Sequence, residues 1–457
     1  MDKIYNYLES NWNNFLGRLK EFLSIPSIST LPEYKKDIYR CAEWLKRKFE
    51  ELNFTKVELI ETRGHPLLFA EYIPPSPKLT VLIYGHYDVQ PTDPESEWKT
   101  KPFEPTIILD SIYARGASDM KSQLLAQMFA TEAWLANEPL PLHLKYLIEG
   151  EEEIGSPNIR SFLENNKEKL SADFALNCDA GIHAPDIPSI TYGLRGLAYF
   201  ELELKGPKQD LHSGLYGGTI RNPIHVLCEL IAKMHDDKGR VALPGFYDKV
   251  LPLSEEERKL LSQVPFSEEE WKNITGVSQL YGEEGYTTLE RVGARPSLDV
   301  NGIIGGFTGE GAKTVLPSKA SAKISMRLVP NQAPEDIEES FRQFLQEECP
   351  PEITWKLELH SSAPPAVMNL NTIYMKSAEN ALEKEFGRKP VFKREGGSVP
   401  IVAWIKQILC IDTVMLGFAL PDDCIHGPGE HQNLKVLKRG ARVYANFYQE
   451  LVKNRSI

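Results

Sequence analysis

Histidine and carboxylate recur in this chain at places where the hydrophobic pattern stops. Gly85-His86-Tyr87-Asp88 follows the apolar run Leu79–Tyr84 (LTVLIY). In extended backbone, residues i and i+2 face the same side. Asp88 is therefore placed to accept a hydrogen bond from the His86 imidazole. Such a bond fixes the tautomer and frees the other ring nitrogen for a metal ion. A plainer reading is a structural histidine beside a turn aspartate. Asp119, within Arg115–Lys121 (RGASDMK), stands where the chain enters a helix. Its plainer reading is a helix cap. Glu149–Glu153 (EGEEE) directly follows the run Leu144–Ile148 (LKYLI). A run of acids is ordinarily a solvated face, but one that abuts a buried strand is not. Neighbouring carboxylates point different ways, so one can bind a metal while the next handles a proton. Asp179 follows Phe174–Cys178, and His426 follows Thr413–Leu416 through a loop. Two histidines and three carboxylates at strand ends suit one or two divalent ions, with a carboxylate bridging them.

The elements that must hold these residues come in two styles. Before about Gly193, short apolar runs alternate with helical stretches such as the one carrying Leu124/Met128 and Leu125/Phe129. That order predicts an α/β domain with a largely parallel sheet and flanking helices. Its ligand crevice would lie beyond the carboxyl ends of the strands. The opening residues Leu8, Trp12, Phe15, Leu19 and Phe22 predict one helix face, and Ile38, Cys41, Leu45, Phe49 and Leu52 a second. After Gly193 the pattern changes. Leu197–Leu204 alternates, Ile224, Leu227, Ile231 and Met234 form a helix face, and Ala322, Ile324, Met326 and Leu328 alternate again. A further helix face (Ile337, Phe341, Phe344) precedes the alternating Ile353, Trp355, Leu357 and Leu359. This predicts a smaller α+β, ferredoxin-like domain with an antiparallel sheet. Residues 240–300 interrupt it with acidic helical pieces that the pattern alone does not place. The α/β pattern resumes after Pro364-Pro365. The expected boundaries are residues 1–193, an inserted domain at 194–365, and the remainder of the first domain at 366–457.

Composition narrows the partners. Lys and Arg total 52 against 64 Asp and Glu, a net charge of −12. That balance argues against general binding to nucleic acid or to an anionic membrane. No apolar run approaches the roughly 20 residues of a transmembrane helix. The opening MDKIYNYLES is charged at Asp2, Lys3 and Glu9 and leads into no apolar h-region, so no secretory signal is expected. The six cysteines have irregular spacing and no CxxC pair. Scattered reduced thiols in a cytoplasmic protein are the expectation.

The ordered set GHYDVQP (85–91), RGASDMK (115–121), EGEEEIGS (149–156), DLHSGLYGG (210–218), AKTVLPSKASAKISMRLVPN (312–331), EGGSVP (395–400) and IHGPGE (425–430) resembles the M20 metallopeptidases. The likeness is to their cytosolic dipeptidase and carnosinase-like branch, and it spans nearly the whole chain. It implies a di-metal hydrolase. By matched position, His86 and Asp179 would bind one ion, Glu153 and His426 the other, and Asp119 would bridge them. Glu152 would be the general base, and Asp88 would orient His86. His212 falls in a motif whose family histidine reaches the partner subunit's active site. Arg327 and Thr314 match positions that hold the substrate carboxylate and nearby polar groups. Gly396, Gly397 and Ser398 match a loop that closes over substrate. The inserted domain would be a lid that carries the dimer interface. Three positions depart from the family pattern. Met120 stands for Asp or Asn after the bridging aspartate, Ser122 for Gly, and Gly429 for Asn.

The expected activity is hydrolysis of the amide bond in dipeptides or short peptides with a free C-terminal carboxylate. The expected cofactors are two divalent ions, zinc first and manganese or cobalt next. The expected assembly is a homodimer. An N-acyl-amino-acid amidohydrolase on the same scaffold is the alternative, and a non-catalytic metal-binding dimer the rival from another class. Free dipeptides assayed beside N-acetyl amino acids separate the two enzymes, and Glu152 counts against the non-catalytic rival, since pure binding needs no proton shuttle beside Glu153. Glu152→Gln is expected to lower kcat by about 10²–10⁴-fold with metal content unchanged. Glu153→Gln is expected to weaken metal binding. Metal analysis beside turnover measures both, and an emptied site in Glu152→Gln alone reverses the assignment.

Overall fold

The apolar runs become neighbouring strands of one mixed sheet in the computed structural model, which describes residues 1–454. The last three residues of the expected segment 366–457 lie outside the described residues. The chain divides into two compact units. The first comprises Met1–Tyr192, Met368–Phe392 and Trp404–Ile457, and the second Gly193–Val367 and Lys393–Ala403.

In the first unit, strand Leu79–His86 runs parallel to Leu142–Glu149 on one side and to Phe174–Asn177 on the other. Thr413–Met415 lies parallel to Phe174–Asn177. Leu67–Tyr72 pairs antiparallel with Leu142–Glu149, and Lys56–Ile60 pairs antiparallel with Leu67–Tyr72 at the sheet edge. Strands Leu79–His86 and Leu142–Glu149 are buried along almost their whole length. Continuous apolar strands of this kind require helices on both faces. The register places His86 opposite Glu149 and Tyr84 opposite Asn177. The parallel strands thus deliver their carboxyl ends to one edge.

Helix Lys121–Leu135 is buried on nearly every side, which explains why its sequence shows little amphipathicity. Lys121 at its start is itself buried, and its Nζ donates to the carbonyls of Phe22 and Ile25. Phe129 stacks on Phe15 with ring centroids 4.9 Å apart. The apolar period that opens the chain spans two helices rather than one, Asp2–Ser10 and Trp12–Leu23. They break at Asn11 (φ −100°, ψ 8°). Among the described residues, no helix is long and apolar enough to cross a membrane.

In the second unit, strands Gly196–Lys205, Ser297–Gly305, Lys319–Leu328 and Thr354–Ala363 form a four-stranded antiparallel sheet. Helices Pro223–Lys233 and Pro334–Glu348 pack their apolar faces on it, around Phe200, Leu227, Ile324 and Phe341. The chain order is β-α-β-β-α-β, with the first and third strands central, the ferredoxin-like arrangement. Strand Ser297–Gly305 is absent from the sequence reading. Its register shifts between Val300 and Gly302, which breaks the alternation, and Ile303 and Ile304 are exposed on the outer edge.

The segment before that strand is held by charge and aromatic faces. Its short helices Glu255–Leu261 and Glu268–Thr275 start at Ser254 and Ser267, whose side chains accept backbone N–H bonds. Three glutamates fill the first turn of each, where the helix dipole favours negative charge. Arginine and tyrosine then alternate. Arg240 lies 4.4 Å over Tyr247, Arg295 lies 5.6 Å from Tyr247 and 4.3 Å from Tyr286, and Arg258 lies 4.8 Å from Tyr286. Glu283 grips Arg295 through two bonds of 2.8 Å, with both residues buried.

Glu283→Ala leaves the Arg295 charge buried without its partner. It is expected to cost about 3–5 kcal/mol in denaturant unfolding. The apolar pair Glu283→Leu with Arg295→Met is expected to recover most of that loss. A single variant as stable as the parent would show that the pair does not secure the segment.

Candidate metal centre and catalytic carboxylates

His86 ends its strand with its side chain buried. Its Nε2 lies 3.0 Å from Asp119 Oδ1 and 3.9 Å from Asp179 Oδ2. The second oxygen of Asp119 faces His426, with Oδ2 3.0 Å from Nε2. The same nitrogen lies 3.2 Å from Glu153 Oε2. His86, Asp119 and Asp179 make one three-donor group, and Asp119, Glu153 and His426 another. Within each group the donor atoms lie within 4.8 Å of one another. Asp119 belongs to both.

Each donor reaches its place for a local reason. Asp179 stands two residues beyond strand Phe174–Asn177, and its N–H is held by Asn177 Oδ1 at 2.7 Å. Asp119 precedes helix Lys121–Leu135, whose first turn has no side-chain cap, so Asp119 does not act as one. The Asp119–Met120 peptide is cis. Met120 is buried, and its Sδ accepts the His86 N–H at 3.2 Å. Beside it Gly85 leaves a tight fit, since a Cβ there would sit 3.1 Å from Met120 Cε and the methionine would have to shift. Gly429 lies at φ +84°, a conformation that Gly and Asn both adopt, which accounts for the exchange at that position. Ser122 is buried with its hydroxyl unpaired.

Asp88 is placed differently from the sequence expectation. The His86 Nδ1 lies 3.1 Å from the Asp88 main-chain carbonyl and 3.4 Å from its carboxylate. The carbonyl is the better acceptor. The Asp88 carboxylate instead receives the backbone N–H groups of Glu152 at 3.2 Å and Glu153 at 3.1 Å. It fixes the short helical turn Glu152–Ile154, which presents both glutamates. Glu149, the first acid of the run, is buried and belongs to neither donor group, accepting from Tyr84 and Ser156. Its burial lifts its carboxyl to about 7.

Three residues without a role in the sequence reading complete the arrangement. Gln90 donates to Glu153 Oε2 at 2.8 Å. Glu430 is buried and accepts from the backbone of the Asp119 segment, and Arg115 pairs with it. All three lie inside the motifs noted above, but residue type alone does not reveal contacts with main-chain atoms far along the chain.

The remaining candidates lie in the second unit. His212 is exposed, and its Nδ1 accepts the Gly214 N–H at 3.0 Å. Thr314 is exposed beside it, its carbonyl accepting the Ser213 N–H at 3.0 Å. Arg327 is half-buried, and its Nη1 donates to Ser398 Oγ at 3.1 Å. Ser398 donates to the Arg195 carbonyl at 2.6 Å, and the Gly396 carbonyl accepts from Arg195 Nε at 3.3 Å. Gly397 is exposed.

The electrostatics separate the donors from Glu152. Burial alone would keep His86 neutral. Hydrogen bonds to Asp119 and Asp88 outweigh it and hold the ring well above its ordinary value. Bonds to Asp119 and Glu153 raise His426 to about 10. Burial works against ionisation of Asp119, yet the two histidines keep it below the ordinary carboxylate range. Glu152 goes the other way. Burial, then the charges of Asp179, Glu153 and Asp119, push it well above the ordinary value against the pull of His86. Each donor group offers one imidazole nitrogen and two carboxylate oxygens, a set that suits zinc, manganese or cobalt. A divalent ion in each group would balance the carboxylates with both rings neutral. The residues fit two such ions.

Metal binding should therefore expel protons. The carboxylates hold both rings above their ordinary value in the metal-free protein, so loading Zn²⁺ at pH 7 is expected to release protons. Affinity is expected to rise with pH up to the His426 value. Titration calorimetry in buffers of different ionisation enthalpy measures the count. Loading with no proton release would mean that the rings are neutral beforehand.

The peptidase family M20/M25/M40 model matches residues 82–450. The chain is 30% identical over 475 residues to the human Beta-Ala-His dipeptidase, covering 99% of this chain and 93% of that one. It is 30% identical to the Cys-Gly metallodipeptidase dug1 of Schizosaccharomyces pombe, covering 99% and 98%. Among solved structures, it superimposes on the M20 family metallo-carboxypeptidase Sso-CP2 from Sulfolobus solfataricus with a TM-score of 0.86. That match has 36% identity over 95% of this chain and 98% of the other. With a pair of donor groups at the strand ends and a match across most of its length, the chain belongs to peptidase family M20/M25/M40.

Proposed function

We propose that the protein is a two-metal dipeptidase acting on dipeptides or short peptides with a free C-terminal carboxylate. One observation carries the reading. Asp119 turns one oxygen to each of two histidines and so joins two donor groups, while Glu152 belongs to neither group and is poised to hold a proton. The relatives named for Beta-Ala-His and Cys-Gly peptides support dipeptides over N-acyl amino acids.

When bound, the two ions, zinc in this reading, supply Lewis acidity to the scissile carbonyl and acidify the attacking water. Glu152 takes the proton from that water as the C–O bond forms. It then delivers the proton to the leaving amine as the C–N bond breaks. His86 and Asp179 would hold one ion, Glu153 and His426 the other, and Asp119 both. Asp88 keeps Glu152 and Glu153 in place through their N–H groups. Arg327, already oriented by Ser398, would grip the terminal carboxylate. Thr314 and the loop at Gly396, Gly397 and Ser398 would lie against the rest of the substrate. The second unit would act as a lid and carry the interface of a homodimer, with His212 stabilising the oxyanion in the partner's site. Exposure of Ile303 and Ile304 on the edge strand Ser297–Gly305 supports such an interface. A cytoplasmic setting agrees with six free cysteines.

A panel of free dipeptides, amidated dipeptides, longer peptides and N-acetyl amino acids on zinc-loaded protein tests the reading. Free dipeptides are expected to turn over fastest, and strong chelation to stop turnover reversibly. Preference for N-acetyl amino acids would replace the peptidase reading with the deacylase one. Full activity without any divalent ion would end both.

Removal of Arg327 is expected to cost substrates with a free carboxylate about 1.5–3 kcal/mol of transition-state binding. Amidated analogues should lose little. Equal loss on both would make Arg327 structural.

The shared site is tested with a differently tagged hybrid of Glu152→Ala and His212→Ala chains. If His212 serves the partner, the hybrid regains one intact site and about half the parental activity. A hybrid that dimerises, binds metal and stays inactive would confine His212 to its own subunit.

A further inference from the structure

Glu430 lies one layer behind the metal donors. Its Oε2 accepts from Arg115 Nη1 at 2.8 Å and from the Gly116 N–H at 2.9 Å. Its Oε1 accepts from the N–H groups of Ser118 at 2.9 Å and Asp119 at 3.0 Å. The carboxylate is fully buried, and these four bonds all run to the segment that bears Asp119. Arg115, also buried, extends the connection. Its Nη2 donates to the Pro91 carbonyl at 2.9 Å and to the His426 carbonyl at 3.1 Å. Its guanidinium lies over the Trp98 ring, 5.3 Å from the centroid. One ion pair thus ties the main chain of three segments: the one after His86 and Asp88, the one with Asp119, and the one with His426. None of these bonds uses a donor side chain.

His426 has φ +63°, a left-handed conformation that few residues other than glycine adopt. The ring meets Asp119 and Glu153 from that backbone, and Arg115 holds its carbonyl. A buried ion pair of this kind adds little net stability, because desolvation offsets the attraction. Fixed forks to main-chain oxygens and nitrogens supply position instead.

We propose that Arg115 and Glu430 are positioning residues that divide the work of the two-ion centre. Glu430 sets the Asp119 backbone and so governs both ions. Arg115 sets His426 and so governs one of them. The proposal rests on the two-ion reading above, and its test separates the two.

Wild-type protein, His426→Ala, Arg115→Lys and Glu430→Gln are loaded with Zn²⁺ and freed of excess. Transfer of zinc to a colorimetric chelator is then followed. Wild type is expected to release two ions per chain in two phases, and His426→Ala identifies the phase that belongs to its ion. Lysine keeps the charge of Arg115 but lacks the fork. Arg115→Lys is expected to weaken that ion about 10–100-fold and to change the other by less than about threefold. Glu430→Gln is expected to weaken both. A wild type that holds fewer than two ions overturns the two-ion reading and the division with it. A wild type with two ions beside an Arg115→Lys variant that weakens neither, or both equally, overturns the division alone, as does a Glu430→Gln variant that weakens neither. Circular dichroism and thermal melting accompany each variant. If neither substitution at the pair gives folded protein, the pair serves the fold and the proposal is overturned.

Discussion

Five carboxylates, those of Asp88, Asp119, Glu152, Glu153 and Asp179, crowd the ends of parallel strands, and their mutual repulsion is the constraint to which the rest of the centre responds. Unscreened charges at such spacing repel by several kcal/mol. Two imidazoles stand between three of them. Asp88 is occupied by two backbone N–H groups, and the Glu152 carboxyl is driven toward its protonated form. The same crowding makes the cluster costly without cations, and a pair of them would relieve it. It also holds the Glu152 carboxyl above its ordinary value.

Much of this was legible in the sequence because it depends on local order. Strand ends and a helix start follow from short-range pattern, whereas the i, i+2 rule at His86 misassigned the Asp88 carboxylate, which turns to the Glu152 and Glu153 N–H groups instead. The ferredoxin-like arrangement of the second unit follows from alternation and helical period. What escaped depends on contacts across long separations. Glu430 meets Asp119 from 311 positions away, and Gln90 meets Glu153 from 63. No local period carries such information. Strand Ser297–Gly305 escaped for another reason, since its bulge erases the alternation by which strands are read. The break at Asn11 escaped because apolar spacing continues across two consecutive helices.

The segment that precedes that edge strand shows a different way to order a chain. Its short helices bury few apolar side chains: Glu255–Leu261 buries Leu261, and Glu268–Thr275 buries none. Alternating arginines and tyrosines stand in for a core there. Planar guanidinium on planar ring covers large faces while the charge is neutralised at the edge by Glu283 and Glu290. The acidic helical pieces, read alone, gave no placement for the segment. The basic and aromatic partners that make it a structured element are scattered from Arg240 to Arg295.

The order of the donors along the chain has a consequence in time. His86, Asp119 and Asp179 come early in the chain, whereas His426 and Glu430 follow much later. A ribosome adding about 5–20 residues per second needs on the order of tens of seconds to pass from one set to the other. During that interval a nascent chain contains every residue of one three-donor group. The other group still lacks its histidine, and Asp119 lacks the carboxylate that holds its backbone. The two donor groups are therefore not equivalent during synthesis: the residues of one are all present before His426 is made, and the other is completed only with it.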